Sequence, residues 1–233
     1  PLTGLAQDSE TARDRGLIVG LLEDNLSGAG RDVRIEGFAG ALSSRATFTE
    51  LTIDDDVGTW LTIRDGAISW NRGALLSGRI EIAELSAAEI LLPRLAQTAP
   101  STTTPEAVPF ALPELPVSVS IGKITADSVE LGAALFGTEA MVSLDGSLAL
   151  AGGEGSTRLA ITRVDGQAGT LSLTGAFANA TRELSLDLLV DEGPGGIAVN
   201  LIGLPDRPAI TLAVAGSGRI ETFSADIRLS TDH

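Results

Sequence analysis

Apolar and polar residues alternate along most of this chain. Early runs such as Val33 and Ile35 place an aliphatic side chain at every second position, with Ser, Thr, Asp, Glu or Arg in many of the positions between. After residue 117 the runs are longer, as in Leu184, Leu186 and Leu188. A period of two places successive side chains on opposite faces of a β-strand. The pattern therefore predicts an antiparallel β-meander of about a dozen strands, with one apolar and one polar face.

One segment ahead of the first strand has a helical period instead. Leu17, Ile18, Leu21 and Leu22 fall on one face of the amphipathic helix predicted over residues 9–28. The favoured interpretation is a cap over one end of the sheet. A membrane-surface or partner helix is the alternative, and it is weaker because the polar face mixes Asp and Glu with Arg, whereas anionic lipid surfaces select basic faces.

Turn signals and loops divide the chain further. The dipeptides Asp65-Gly66 and Asp145-Gly146 and the segment Gly216–Gly218 predict strand ends. Asn71–Leu76 predicts one helical turn, and Ile197, Val199 and Leu201 predict a strand. The expected segments are a processed or anchor-derived tail (1–8), the helix (9–28), a first β-segment (31–95), a Pro/Thr-rich loop or linker (96–116) and a second β-segment of the same sheet (117–233).

A weak internal repeat connects the two β-segments. Ile82-x-x-Leu85-x-Ala87-x-x-Ile90 recurs 39 residues later as Ile121-x-x-Ile124-x-Ala126-x-x-Val129. Repeated β-units are expected in an elongated, solenoid-like sheet.

Composition excludes several classes of function. The chain has no Cys, and its one His is His233 at the end, so it offers no disulfide, no thiolate ligand for zinc and no Ser-His-Asp triad. With 31 acidic and 16 basic residues, among them a single lysine, it lacks the basic surface that nucleic-acid binding needs. The consecutive acids Asp54–Asp56 lack the ligand spacing of an EF-hand and predict a solvated hairpin turn. We expect no enzyme activity, no cofactor and no metal.

The predicted apolar face must be covered by something. With 43% apolar residues but only two Trp and six Phe, it is almost entirely aliphatic. The sheet can fold on itself as a sandwich or barrel, pair with another chain, or curve into a trough that takes an apolar ligand. The residues alone favour the self-buried sandwich.

Residues 16–92 favour the trough. Ile68-Ser-Trp70-Asn71 leads into Leu75-Leu76-Ser-Gly78-Arg79, and the helix and strands around them follow a similar order. This stretch resembles the N-terminal part of the TamB family, within the AsmA-like group. The rest of the chain, from residue 117, is similar only in its amphipathic style.

The resemblance implies a fold and a function. The fold would be all-β for the most part: an elongated antiparallel meander curved into a trough, or β-taco, with one N-terminal helix. The function would be that of a periplasmic segment of an inner-membrane-anchored protein of outer-membrane biogenesis, which holds phospholipid acyl chains and supports assembly of outer-membrane proteins. The anchor, and the C-terminal domain that meets a BamA-like barrel partner, would lie outside this segment.

The trough assigns roles to particular residues. Leu17, Ile18, Leu21 and Leu22 would cap its end. The expected lining residues are Val119, Ile121, Leu144, Leu148, Leu150, Leu159, Ile161, Leu171, Leu173, Leu184, Leu186, Leu188, Val199, Leu201, Ile210, Leu212 and Val214. The alternative is an extracellular β-solenoid or sandwich that acts in adhesion, with its core buried against itself.

Overall fold

A computed structural model describes residues 32–40, 45–97, 110–112 and 117–232, and these form one open β-sheet. The strands follow the chain order across the sheet, except that the two-residue β2 pairs only with β3. Their bounds are β1 Asp32–Glu36, β2 Ala39–Gly40, β3 Arg45–Asp55, β4 Gly58–Asn71, β5 Arg79–Leu92, β6 Ser118–Leu131, β7 Ala140–Ala151, β8 Glu154–Arg163, β9 Gly169–Ala178, β10 Glu183–Glu192, β11 Ile210–Arg219 and β12 Ala225–Thr231.

The pairing confirms the predicted fold class, a mostly antiparallel β-meander. Within the described residues the sheet order ends at β1 on one side and β12 on the other, so the sheet does not close into a barrel. Every neighbouring pair is antiparallel except β5 and β6, which run parallel. The predicted helix over residues 9–28 lies outside the described residues.

The parallel pair explains the internal repeat. Ile82 lies opposite Ile121, and Ile90 lies opposite Val129, so the 39-residue offset is the register between β5 and β6. The two-residue gaps of the motif fall where the β6–β7 register shifts, after Ile121 and after Ala126. Such a bulge adds a residue to a strand and so lets apolar side chains three positions apart share a face. A parallel pair also needs a long connection, and the Pro/Thr-rich segment lies between these two strands in the chain.

Three predicted turns are wrong, because glycine also occurs inside strands. Asp65-Gly66, Asp145-Gly146 and Gly216–Gly218 all lie inside strands. At Gly66 a Cβ would stand 2.0 Å from Cζ of the Phe48 ring, so this glycine makes room for an aromatic ring. Asp65 has a φ of 48°, which marks a local irregularity in β4 and not its end.

Short helices occupy some of the connections between strands. They are α1 Arg72–Leu75, α2 Ala133–Phe136 and α3 Ile197–Ile202, with a 3-10 turn at Ile220–Thr222. The helical turn predicted after Asn71 is confirmed, and the Asn71 side chain accepts a hydrogen bond from the N–H of Gly73.

The strand predicted around Val199 and Leu201 is wrong, because that segment forms α3. Glu192 accepts hydrogen bonds from the N–H groups of Ile197 and Ala198, which satisfies the start of the helix. Gly203 ends the helix in a left-handed conformation.

The fully buried apolar residues are few and mostly small. Ala126, Val129 and Val142 form a cluster on β6 and β7, against which Ile90, Leu131, Leu144 and Ile161 pack. Most of the larger aliphatic side chains of the sheet are only half-buried. This cluster therefore lies near one end of the strands and covers only part of the apolar face.

Candidate functional site

The candidate site is the face of the sheet that carries its aliphatic side chains, which we call the apolar face. Antiparallel partners lie on the same face, and Leu188 stands opposite Leu173 on β9 and Val214 on β11. Leu173 in turn stands opposite Leu159 on β8. The same register extends this face from β6 to β12.

The structure gathers most of the predicted lining residues on this face. Those on β6 to β11 share it, as their register shows: Val119, Ile121, Leu144, Leu148, Leu150, Leu159, Ile161, Leu171, Leu173, Leu184, Leu186, Leu188, Ile210, Leu212 and Val214.

Two predicted lining residues do not belong to the sheet. Val199 is fully buried in α3, and Leu201, on the same helix, is 63% exposed. The four predicted cap residues Leu17, Ile18, Leu21 and Leu22 fall outside the described residues.

The prediction also missed members of the face. Phe177 and Val190 share it with the listed leucines, as do Ile227 and Leu229 at the edge strand β12. The alternation of apolar and polar residues along these strands was the signal that could have identified all four residues, and it is clear in the sequence of β12. Phe177 is the one aromatic side chain that strands β6 to β12 place on this face.

The apolar face has no protein layer over most of its area within the described residues. The strands that the structure describes all belong to one sheet, so they supply no second sheet to pack face to face with it. Leu148 is 38% exposed and Ile227 is 67% exposed. The helices α2 and α3 contact each other across the ends of β8 and β9, as expected for a sheet that curves into a trough.

Between the ends of the strands, the apolar face carries no charged side chain from β7 to β12. Its two charged residues on these strands are Arg163 and Glu192, which are the last residues of β8 and β10 and lie at the same edge of the sheet. Glu192 binds the start of α3, and Arg163 pairs with Asp165 at 2.5 Å. Hydrogen bonds from the Arg163 guanidinium, helped by the N–H groups of Met141 and Gln167, lower the pKa of Asp165 to about 2.

Other charges lie in turns and on the opposite face. Asp187 and Asp191 on β10 are exposed and point away from the apolar face. At the β3–β4 turn the Asp55 carboxylate accepts two hydrogen bonds from Arg94, at 2.6 and 2.7 Å, and one from the N–H of Gln97. These bonds hold the pKa of Asp55 well below its usual range. The arrangement keeps solvated charge away from the apolar surface.

This arrangement offers hydrophobic contact without directional groups. In the described ranges no cluster of His, Cys, Asp and Glu could hold a metal ion. No helix in that part of the chain is long and apolar enough to cross a bilayer. Such a face can bury aliphatic chains.

Comparisons with known proteins give no relative. No protein-family model, no curated protein and no solved structure matches this chain.

Proposed function

We propose that this chain is a non-enzymatic segment that holds phospholipid acyl chains on its apolar face. The observation that carries the proposal is that face itself: from β6 to β12 it is almost entirely aliphatic and uncharged in its interior, and the described residues place no protein layer over most of it. Large contiguous exposed apolar surfaces mark binding or interaction sites. Each methylene transferred from water to such a surface contributes about 0.8 kcal/mol.

An acyl chain fits this surface better than a compact polar ligand does. A ligand with hydrogen-bonding groups would need partners on the face, and the strand interiors supply almost none. Strands of ten residues are roughly 33 Å long, which exceeds the length of a common acyl chain. We infer that binding depends on aliphatic length and is tolerant of headgroup.

The wider role rests on the resemblance of residues 16–92 to the TamB family. We propose a periplasmic location, attachment to the inner membrane, and a part in lipid transport between the membranes and in assembly of outer-membrane proteins with a BamA-like barrel. The apolar face supports the lipid part of this proposal.

A pair of adjacent leucines provides the test. Leu188 lies on the apolar face and Leu189 lies on the opposite face, where it is 45% exposed. The chain is incubated with a diazirine analogue of palmitate, irradiated, and the labelled peptides are mapped by mass spectrometry. We expect Leu188→Asp to lose most labelling of β9 to β11, and Leu189→Asp to retain it.

The opposite outcome rejects the proposal. If the wild-type chain takes no label on the apolar face, or if both variants label alike while their circular dichroism stays that of the wild type, the face does not hold acyl chains. A face sealed by protein, as in the adhesion alternative, would give that result.

A further inference from the structure

A short piece of the connection between β5 and β6 lies on the apolar face. Leu112 places its Cδ1 atom 2.7 Å from the position that a Cβ would take on Gly155. Phe110 packs edge-on against Phe177, with 5.0 Å between the ring centroids and 69° between the ring planes. Gly155 and Phe177 are partners in the β8–β9 register and share the apolar face. Residues 110–112, which we call the strap, therefore occupy part of the surface assigned to acyl chains.

Polar side chains of the β9–β10 turn hold the strap in place. The Asn179 amide accepts a hydrogen bond from the N–H of Leu112 and donates one to the carbonyl of Leu112, both at 2.8 Å. It thereby satisfies both backbone groups of Leu112, as a neighbouring strand would. Arg182 donates to the carbonyl of Phe110 at 2.5 Å. The Arg182 guanidinium also lies 5.7 Å from the Phe177 ring centroid, and its Nε pairs with Glu221 at 2.7 Å.

The strap changes the exposure of the face beneath it. Phe177 is only 6% exposed, whereas Leu148, in the next row of side chains, is 38% exposed. Gly155 has no side chain, so it leaves a depression between Leu150 and Phe177, its partners on the adjacent strands. Leu112 fills this depression. An acyl chain cannot lie over Gly155 while Leu112 is there, because the two would occupy the same volume.

We propose that the strap is an internal occupant of the apolar face, which excludes acyl chains from the strand ends around Gly155, Phe177 and Leu184 until the Asn179 and Arg182 contacts break. This inference rests on the proposed function. With the rest of the described residues the strap makes few contacts: three hydrogen bonds, one ring contact and the packing of one leucine side chain. The net contribution of each such hydrogen bond is modest, and the burial of several methylenes of an acyl chain offsets their loss. The strap thus sets how far along the strands an acyl chain reaches.

Releasing the strap provides the first test. The probe is the diazirine analogue of palmitate, and labelling is compared between peptides containing Leu184 and peptides containing Leu171. We expect Asn179→Ala to raise labelling around Leu184 several-fold and to leave labelling around Leu171 unchanged. Thr181→Ala, in the same turn, is the matched control and should label as the wild type does.

Locking the strap provides the second test. The chain has no Cys, so the double variant Leu112→Cys, Gly155→Cys carries a single thiol pair. The side chain at position 112 reaches to within 2.7 Å of the Cβ position of residue 155, so oxidation can join thiols at these two positions where the backbone allows disulfide geometry. We expect oxidation to abolish labelling around Leu184, and reduction to restore it.

The outcomes separate this inference from the proposed function. The inference alone is overturned if labelling around Leu184 is the same in the wild type, in Asn179→Ala and in the oxidised and reduced double cysteine variant, while labelling around Leu171 stays normal. Absence of labelling on every strand rejects both proposals.

Discussion

The uncovered face makes a quantitative prediction about stability. Leu186 stands between two glycines, with Gly175 opposite it on β9 and Gly216 opposite it on β11. Its side chain is only half-buried. Leu→Ala removes three carbons, which at about 0.8 kcal/mol each would cost roughly 2.4 kcal/mol from full burial and about half of that here. The cavity term should be small, because the described residues leave this side chain only half-buried.

Val142 provides the reference for a true core position. It is 3% exposed and belongs to the cluster with Ala126 and Val129. Val142→Ala removes only two carbons, yet it leaves a cavity, so we expect a loss of about 2 kcal/mol. The larger truncation, Leu186→Ala, should therefore be the less destabilising of the two.

Urea unfolding of delipidated protein, followed by far-ultraviolet circular dichroism, measures both variants. The predicted order is a loss of about 1 kcal/mol for Leu186→Ala and about 2 kcal/mol for Val142→Ala. A loss of about 3 kcal/mol or more at Leu186, within the range of enclosed leucines, would refute the reasoning. It would mean that protein covers the face, in a sandwich or an oligomer.

Three further predictions concern single sites. The free energy of unfolding should be constant down to about pH 4 and should fall as the pH drops from there towards 2. Asp55 and Asp165 have folded-state pKa values below the ordinary 3.8, so in this pH range the unfolded state takes up protons more readily than the folded state. Asp165→Asn should weaken this dependence on pH in urea titrations. Gly66→Ala should lower the melting temperature sharply, since its Cβ would meet the Phe48 ring at 2.0 Å, and Phe48→Leu should rescue it in part. Glu192→Ala should lower the free energy of unfolding by about 1 kcal/mol, because two N–H groups at the start of α3 lose their acceptor. Glu192→Gln should lower it by less, and thermal unfolding of both variants measures the difference.

The sequence predicted the fold because one signal dominates it. A period of two over β8, β9 and β10 matches the observed alternation of half-buried and exposed positions. The 39-residue repeat contained the β5–β6 register, although the sequence alone did not identify that pair as parallel. The errors arose where glycine serves packing, as at Gly66, since a strand glycine and a turn glycine look alike in one sequence.

The candidate site was predictable in part, for a related reason. Every second residue of a strand lies on the same face, so most leucines of the apolar face could be identified from the sequence. Val199 could not be placed, because a short aliphatic run fits a helix as well as a strand. The strap could not be predicted either, since the contact between Leu112 and Asn179 joins residues far apart in the chain and has no local pattern.

Native mass spectrometry of the gently purified chain tests the central claim most directly. The account predicts that the wild type carries adducts of phospholipid mass, that Leu188→Asp loses them, and that Leu189→Asp, on the opposite face of the same strand, keeps them. Bare protein in all three spectra, or equal adducts in all three, would contradict the claim that the apolar face holds acyl chains.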